Sequence, residues 1–166
     1  MTSDIPALCA ELADRLLERG WMLATAESCT GGLIAGACTE LSGSSRWFER
    51  GFVTYSNEAK TESLGIDPAL LQAHGAVSEV VARAMAFGAL RHSHAQVSVA
   101  VTGIAGPTGG SAEKPVGTVW FGFAQRRSDG SVQVDSEHRR LDGDRAQVRL
   151  ATVEYALRGL LQRVRK

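Results

Sequence analysis

Val97-Ser98-Val99-Ala100-Val101-Thr102-Gly103-Ile104-Ala105-Gly106-Pro107-Thr108-Gly109-Gly110 joins an apolar run to a glycine-rich one near the middle of the chain. Its first five residues are apolar but for one serine. They read as a strand buried on both faces, as a central strand of a parallel sheet must be. The remainder holds four glycines and a proline, too many for a helix or strand interior. A strand that runs into a glycine loop places that loop on the sheet edge where open α/β proteins bind ligands.

Two earlier segments repeat the arrangement. Trp21 to Thr25 reads as a short strand, followed by Ala26-Glu27-Ser28-Cys29-Thr30-Gly31-Gly32 and a helical pattern from Gly31 to Leu41. Gly51 to Tyr55 reads as a strand, followed by Ser56-Asn57-Glu58-Ala59-Lys60 in a short helix from Asn57 to Leu64 that Gly65 closes. Ahead of them, Ile5, Leu8, Cys9, Leu12 and Leu16 form a helical stripe, which Ser3 or Asp4 can cap and Gly20 ends. Pro68 opens a further helix ending near His74-Gly75, and Ser78 caps one that runs to about Arg91. Val116 to Ala124 and Val132 to Leu141 flank Asp129-Gly130, a hairpin turn signal. Asp144 opens a last helix with Leu150, Val153, Leu157, Leu160 and Val164 on one face. Strands alternating with helices and then a hairpin predict an α/β fold, a three-layer α/β/α sandwich with a mixed, mostly parallel sheet. Residues 1–166 are expected to form a single domain.

The composition narrows the class. Of 166 residues, 44% are apolar and 22% charged, ordinary for a globular chain. Eighteen Lys plus Arg balance eighteen Asp plus Glu. That balance argues against a dedicated nucleic-acid binder, and the basic end from Arg158 to Lys166 reads as a solvated helix terminus. Three cysteines, Cys9, Cys29 and Cys38, form neither a framework nor a CxxC pair, as expected in a reducing cytoplasm. No run reaches the roughly 18 apolar residues that span a bilayer, and no signal peptide is evident, so a cytoplasmic location without membrane contact is expected.

Ser28 stands where a strand turns into a helix, with Gly31 and Gly32 leaving N–H groups open to an anion or oxyanion. It is either a nucleophile or, with Thr30, a helix cap; the context is not a G-x-S-x-G elbow. None of the four histidines falls at the crevice, and His92-Ser93-His94 reads as a helix end rather than a metal pair. Lys60 is therefore the candidate base, provided burial lowers its pKa; otherwise it is a surface lysine. Cys29 is an alternative nucleophile. Glu27 either orients Lys60 or caps the adjacent helix. The loop from Thr102 to Gly110 fits neither a Walker A loop nor G-x-G-x-x-G; it exposes N–H groups to a phosphate or carbonyl, or is a wide turn. Lys114 to Thr118 extends the same rim. Trp47 and Phe48 read as core or subunit-contact residues.

Taken together, Thr25-Ala26-Glu27-Ser28-Cys29-Thr30-Gly31-Gly32, Gly43-Ser44-Ser45, Gly51 to Lys60, His74 to Ser78, and Gly103-Ile104-Ala105-Gly106-Pro107 with Lys114 to Val119 closely resemble the C-terminal domain family of the competence/damage-inducible protein CinA. The resemblance covers nearly the whole chain. The larger N-terminal domain of full CinA proteins has no counterpart in it, so that domain's role is not expected here. Stand-alone members of the family are nicotinamide-nucleotide amidohydrolases. The resemblance implies a hydrolase of the serine/lysine type, with no metal and no cofactor, that converts nicotinamide mononucleotide and water to nicotinate mononucleotide and ammonia. It puts the nucleophile on Ser28, the lysine on Lys60 and an assisting hydroxyl on Thr102, with Tyr55 a further catalytic candidate. Substrate contacts are expected from Cys29, Gly31, Gly32, Ser44, Ser45, Gly103, Gly106, Gly109 and Gly110, the phosphate falling to the Gly106–Gly110 loop or the Ser44-Ser45 turn. The expected partners are the small nucleotide substrate and a second copy of the chain in a homodimer, with no nucleic acid. A non-catalytic nucleotide-binding module linked to competence or DNA damage is the rival; it would lack Ser28 or Lys60. A nucleotide pyrophosphatase would need a metal-binding carboxylate cluster, which the crevice segments lack.

Overall fold

The computed structural model describes residues 4–164. Five strands form one sheet: β1 (Leu23–Glu27), β2 (Phe48–Val53), β3 (Val97–Gly103), β4 (Thr118–Arg126) and β5 (Val132–Arg140). Six helices flank it: α1 (Ile5–Arg19), α2 (Leu33–Thr39), α3 (Asn57–Leu64), α4 (Pro68–His74), α5 (Glu79–Arg91) and α6 (Arg145–Arg163), with a 3-10 turn at Ser44–Arg46. The spatial order is β2-β1-β3-β4-β5. β1 pairs in parallel with both β2 and β3. β4 pairs antiparallel with both β3 and β5.

The sandwich is the one expected, but its sheet is divided evenly between the two kinds of pairing rather than mostly parallel. The cause is the connection after β3. It is a glycine loop with no crossover helix, so the chain turns straight back and β4 runs antiparallel. The Asp129-Gly130 turn then adds β5 in the same sense.

Side-chain alternation makes the two faces unlike. Leu23, Val97, Val99, Val101, Val119, Phe121 and Phe123 pack against α1, α2 and α6 in one cluster. The opposite face is lined by Ala24, Ala26, Ala100 and Ala124, so α5 approaches closely. A Cβ on Gly122 would come within 2.1 Å of the Ala82 carbonyl oxygen. Ser98, on the same face, donates its hydroxyl to the Ala86 carbonyl at 2.7 Å. Trp47 is buried in the first cluster, as a core residue.

Boundaries shift where tertiary pairing overrides the local pattern. β1 begins at Leu23 rather than Trp21, because Leu23 is the residue aligned with Val97 and Phe48. β2 and β4 move likewise. α2 starts at Leu33, since Gly31 and Gly32 take φ of 59° and 103°, which a right-handed helix cannot use. α3 to α6 start where the sequence places them, and Ser56, Asp67, Ser78 and Asp144 cap them, each accepting a backbone N–H. Asp4 sits at the α1 cap position without making a cap bond; its carboxylate instead receives Arg158 at 3.1 Å. Ser3, Arg165 and Lys166 lie outside the described residues. Within them, the basic end is neutralised: Arg158 also pairs with Glu154, and Arg163 with Asp135 and Glu137.

Candidate active site

The parallel part of the sheet brings three segments to one edge. Ser28 continues β1, its N–H donating to the Val101 carbonyl of β3 at 3.1 Å. Thr54 continues β2, its N–H donating to the Glu27 carbonyl at 2.9 Å. Thr102 lies at the end of β3 itself.

Successive residues of an extended chain face opposite sides, and this separates Glu27 from Ser28. The Glu27 carboxylate turns under α2. It accepts from the Thr30 hydroxyl at 2.5 Å, from Ile34 N–H at 2.8 Å and from Ala35 N–H at 3.0 Å. It therefore caps α2 and does not orient Lys60. Ser28 turns the other way, towards α3. Lys60, in the second turn of that helix, is only 1% exposed. Its Nζ lies 3.0 Å from Ser28 Oγ and donates to the Thr54 carbonyl at 2.8 Å. Burial pulls its pKa below the ordinary lysine value, because an ammonium loses hydration there without gaining a carboxylate.

These groups open onto a cleft of about 300 Å³, lined by Ser28, Cys29, Tyr55, Asn57, Lys60, the Ala76-Val77 wall, Thr102 to Gly106, Thr108, Gly109 and Arg145. That volume is at the small end of ligand pockets. Thr102 lines the cleft, but its hydroxyl donates to the Ala76 carbonyl at 2.9 Å rather than to the Ser28–Lys60 pair. Tyr55 is 62% exposed, at the rim. Its hydroxyl accepts from Arg145 at 3.1 Å. Cys29 is 6% exposed, and burial raises its thiol pKa to about 12. It stays protonated near neutrality, which makes it a poor nucleophile.

The predicted glycines divide. Gly103, Gly106 and Gly109 line the cleft, whereas Gly110 backs against Val116, whose N would lie 2.7 Å from a Cβ there. Gly31 N–H donates to the Ser28 carbonyl at 3.1 Å, and neither Gly31 nor Gly32 is a lining residue. Lys114 is not a lining residue; its amine donates to the His74 carbonyl at 2.9 Å. Ser44 and Ser45 are not brought to the cleft. They form the turn that enters β2, at the opposite edge of the sheet from the end of that strand. A larger hollow of about 450 Å³ lies between α3 and α4, sharing Asn57 and carrying Glu58 and Glu62 but neither Ser28 nor Lys60. Among the described residues no cluster of His, Cys, Asp and Glu could hold a metal ion.

Sequence reasoning missed two arginines of α6. Arg145 donates to the Gly106 carbonyl at 2.8 Å as well as to Tyr55. Arg149 donates to the Cys29 and Thr30 carbonyls at 3.1 and 3.2 Å. A signal was present: cations in the first turns of a helix oppose its dipole, so two of them right after the Asp144 cap call for a reason outside the helix.

An α/β sandwich with a serine and a buried lysine at the carboxyl edge of its parallel strands now has its family. The family model described as the CinA C-terminal domain matches residues 6–164, and the chain belongs to that family. It is 53% identical over 155 residues to the nicotinamide-nucleotide amidohydrolase PncC of Enterobacter agglomerans, covering 93% of this chain and 92% of that protein. The PncC of Escherichia coli K12 is 49% identical over 160 residues, with 96% and 94% covered. A CinA-like protein of Chlorobaculum tepidum is 54% identical over 151 residues, but these are 91% of this chain and only 36% of that longer protein. Among solved structures, the competence/damage inducible protein CihA of Agrobacterium tumefaciens superposes with a TM-score of 0.91 at 48% identity, over 100% of this chain and 98% of the other. No helix among the described residues is long and apolar enough to cross a membrane.

Proposed function

We propose that this protein hydrolyses the carboxamide of nicotinamide mononucleotide, releasing ammonia and nicotinate mononucleotide for pyridine nucleotide salvage, with Ser28 as nucleophile and Lys60 as general base. The observation that carries the reading is the 3.0 Å contact between Lys60 Nζ and Ser28 Oγ, made by a lysine that burial favours in its neutral form. The names of relatives matched along nearly their whole length support the substrate.

In this mechanism the neutral amine keeps one N–H on the Thr54 carbonyl and turns its lone pair to the Ser28 hydroxyl. Lys60 takes the hydroxyl proton as Oγ attacks the carboxamide carbon, and the carbonyl electrons move onto oxygen. Loop N–H groups meet that oxyanion. Gly31 N–H already bonds to the Ser28 carbonyl, so the donors we assign are those of Cys29 and Thr30. Collapse breaks the C–N bond, and Lys60 returns its proton to the departing amine as ammonia. Water, deprotonated by Lys60, then attacks the acyl ester, freeing nicotinate mononucleotide and restoring Ser28. We assign Thr102 to holding the Ala76-Val77 wall. Tyr55, Arg145 and the Gly106–Gly109 main chain take the phosphate end. Hydrolysis needs no cofactor and, with the lysine as base, no metal. The edge strand β2 and the exposed Val53 and Leu33 beside it support a homodimer, which light scattering on the purified protein tests.

Ammonia release from nicotinamide mononucleotide by the purified protein is the experiment that decides. It should persist under exhaustive chelation and vanish in a folded Ser28→Ala variant. Turnover by that variant near the wild-type rate, or loss on chelation with recovery on a single divalent ion, rejects the mechanism.

A further inference from the structure

The second arginine of α6 lies outside the cleft, yet it holds the loop that carries the nucleophile. Arg149 Nε donates to the Cys29 carbonyl at 3.1 Å and Nη2 to the Thr30 carbonyl at 3.2 Å. Among the described residues it makes no ion pair; its charge is directed at these two peptide groups alone. Nη2 is also 3.5 Å from where a Cβ on Gly31 would stand.

The direction of these bonds matters. Ser28 and Cys29 line the cleft and Arg149 does not, so the guanidinium grips the loop from behind. In a trans peptide the N–H points opposite to the carbonyl. The Cys29 carbonyl shares its peptide with Thr30 N–H, so a guanidinium behind turns that N–H towards the Ser28 side of the loop, where Thr30 is buried. A cation on the carbonyl oxygen also polarises the unit and strengthens the N–H as a donor. A charge-assisted, two-pronged contact is the strong kind of hydrogen bond.

We infer that Arg149 is a positioning residue for the reaction, fixing and polarising the Cys29–Thr30 peptide so that its N–H meets the oxyanion formed at Ser28. The inference rests on the Ser28 mechanism above and extends it to a residue that never touches substrate. It predicts an effect confined to the transition state. Arg149→Met should lower kcat by about 10- to 100-fold, below the loss for removing an oxyanion donor outright. Affinity for nicotinamide mononucleotide, measured on Ser28→Ala with and without Arg149→Met, should stay within about threefold, since the neutral ground-state amide makes little use of that donor. Arg149→Lys, with one point charge for two carbonyls, should recover part of kcat.

The sharpest measurement uses nicotinamide mononucleotide with an aldehyde in place of its carboxamide. Ser28 Oγ adds to the aldehyde carbon, the hydroxyl proton passes to Lys60, and the aldehyde oxygen becomes the oxyanion. Affinity for this compound should fall in Arg149→Met by the same factor as kcat. If aldehyde and substrate affinities fall together, or if kcat holds at the wild-type level, Arg149 is a structural strut and the inference is overturned. If Arg149→Met does not fold, the same comparison is made on Arg149→Lys. Wild-type ammonia release and a dead Ser28→Ala variant test the underlying reading separately.

Discussion

Lys60 Nζ stands 3.0 Å from Ser28 Oγ although 32 positions separate them in the chain. The contact exists because β1 and β2 are adjacent and parallel, so the residues that follow them leave the same edge. α3 then turns Lys60 back beneath the end of β1. No carboxylate hydrogen-bonds the amine; its partners are one hydroxyl and one carbonyl.

The first prediction separates charge from basicity at Lys60. Arginine keeps a positive charge but does not give up its proton at working pH. Lys60→Arg and Lys60→Met should both lose about 10²–10⁴-fold in kcat, the usual worth of general acid–base catalysis. Because burial lowers the folded-state pKa, wild-type kcat/KM should rise with pH through that lowered value, as the neutral amine accumulates. Stability should rise too between that pKa and the unfolded value of about 10.4, where the unfolded chain binds more protons. A Lys60→Arg variant with most of the wild-type turnover removes the base from the mechanism.

Cys29 supplies the control for the nucleophile. Its thiol is held protonated by a pKa of about 12, and its structural contribution is the backbone carbonyl that Arg149 grips. Cys29→Ala keeps that carbonyl and loses one buried sulfur. It should retain kcat within about threefold and lose about 1 kcal/mol of stability, the common size of a point-mutant effect. Iodoacetamide should label the wild-type thiol slowly at neutral pH. A dead, folded Cys29→Ala variant would transfer the nucleophile to sulfur.

Glu27 should matter for stability first. Its two oxygens take three donors at the start of α2. Glutamine keeps the shape, but its amide N–H₂ then faces Ala35 N–H, donor against donor. Glu27→Gln should cost about 2 kcal/mol, a fall in Tm of roughly 4–8 °C for a domain of this size. An unchanged Tm would show that the buried carboxylate does not hold α2.

Substrate truncation tests the far end of the cleft. Arg145 bonds to neutral acceptors, the Gly106 carbonyl and the Tyr55 hydroxyl, so its charge remains available to a phosphate. Nicotinamide mononucleotide should exceed its riboside in kcat/KM by about 10- to 100-fold, the range of a charged hydrogen bond. Arg145→Ala should erase most of that difference while leaving the riboside rate little changed. Equal kcat/KM for nucleotide and riboside in the wild type would assign the phosphate no contact here.

Much of this was legible from local chemistry. The apolar run from Val97 to Val101, the Asp129-Gly130 turn and the caps at Ser78 and Asp144 each act within a few residues. The elements they define stand where they were expected. The ends of β1 and β2 were not legible, since register comes from strands distant in the chain. Gly31 and Gly32 showed a turn, but not that their positive φ would delay α2. The Ser44-Ser45 turn was expected at the cleft because Gly43-Ser44-Ser45 is one of the segments that carry the family resemblance. A parallel strand puts its entry and its exit on opposite edges of a sheet, and β2 carries that turn away.

Helix caps, turns and hydrophobic periods act over a few positions, so the elements, the α/β class and the residue types able to do the chemistry are all written in the linear chain. Which of those residues meet follows from packing. It placed Lys60 in a buried site against Ser28, gave Glu27 to α2, put Thr102 on the Ala76 carbonyl and brought α6 across to lend Arg145 and Arg149. These outcomes depend on strand order, on which face each side chain takes and on how much water is excluded around it. Such properties belong to the packed chain as a whole.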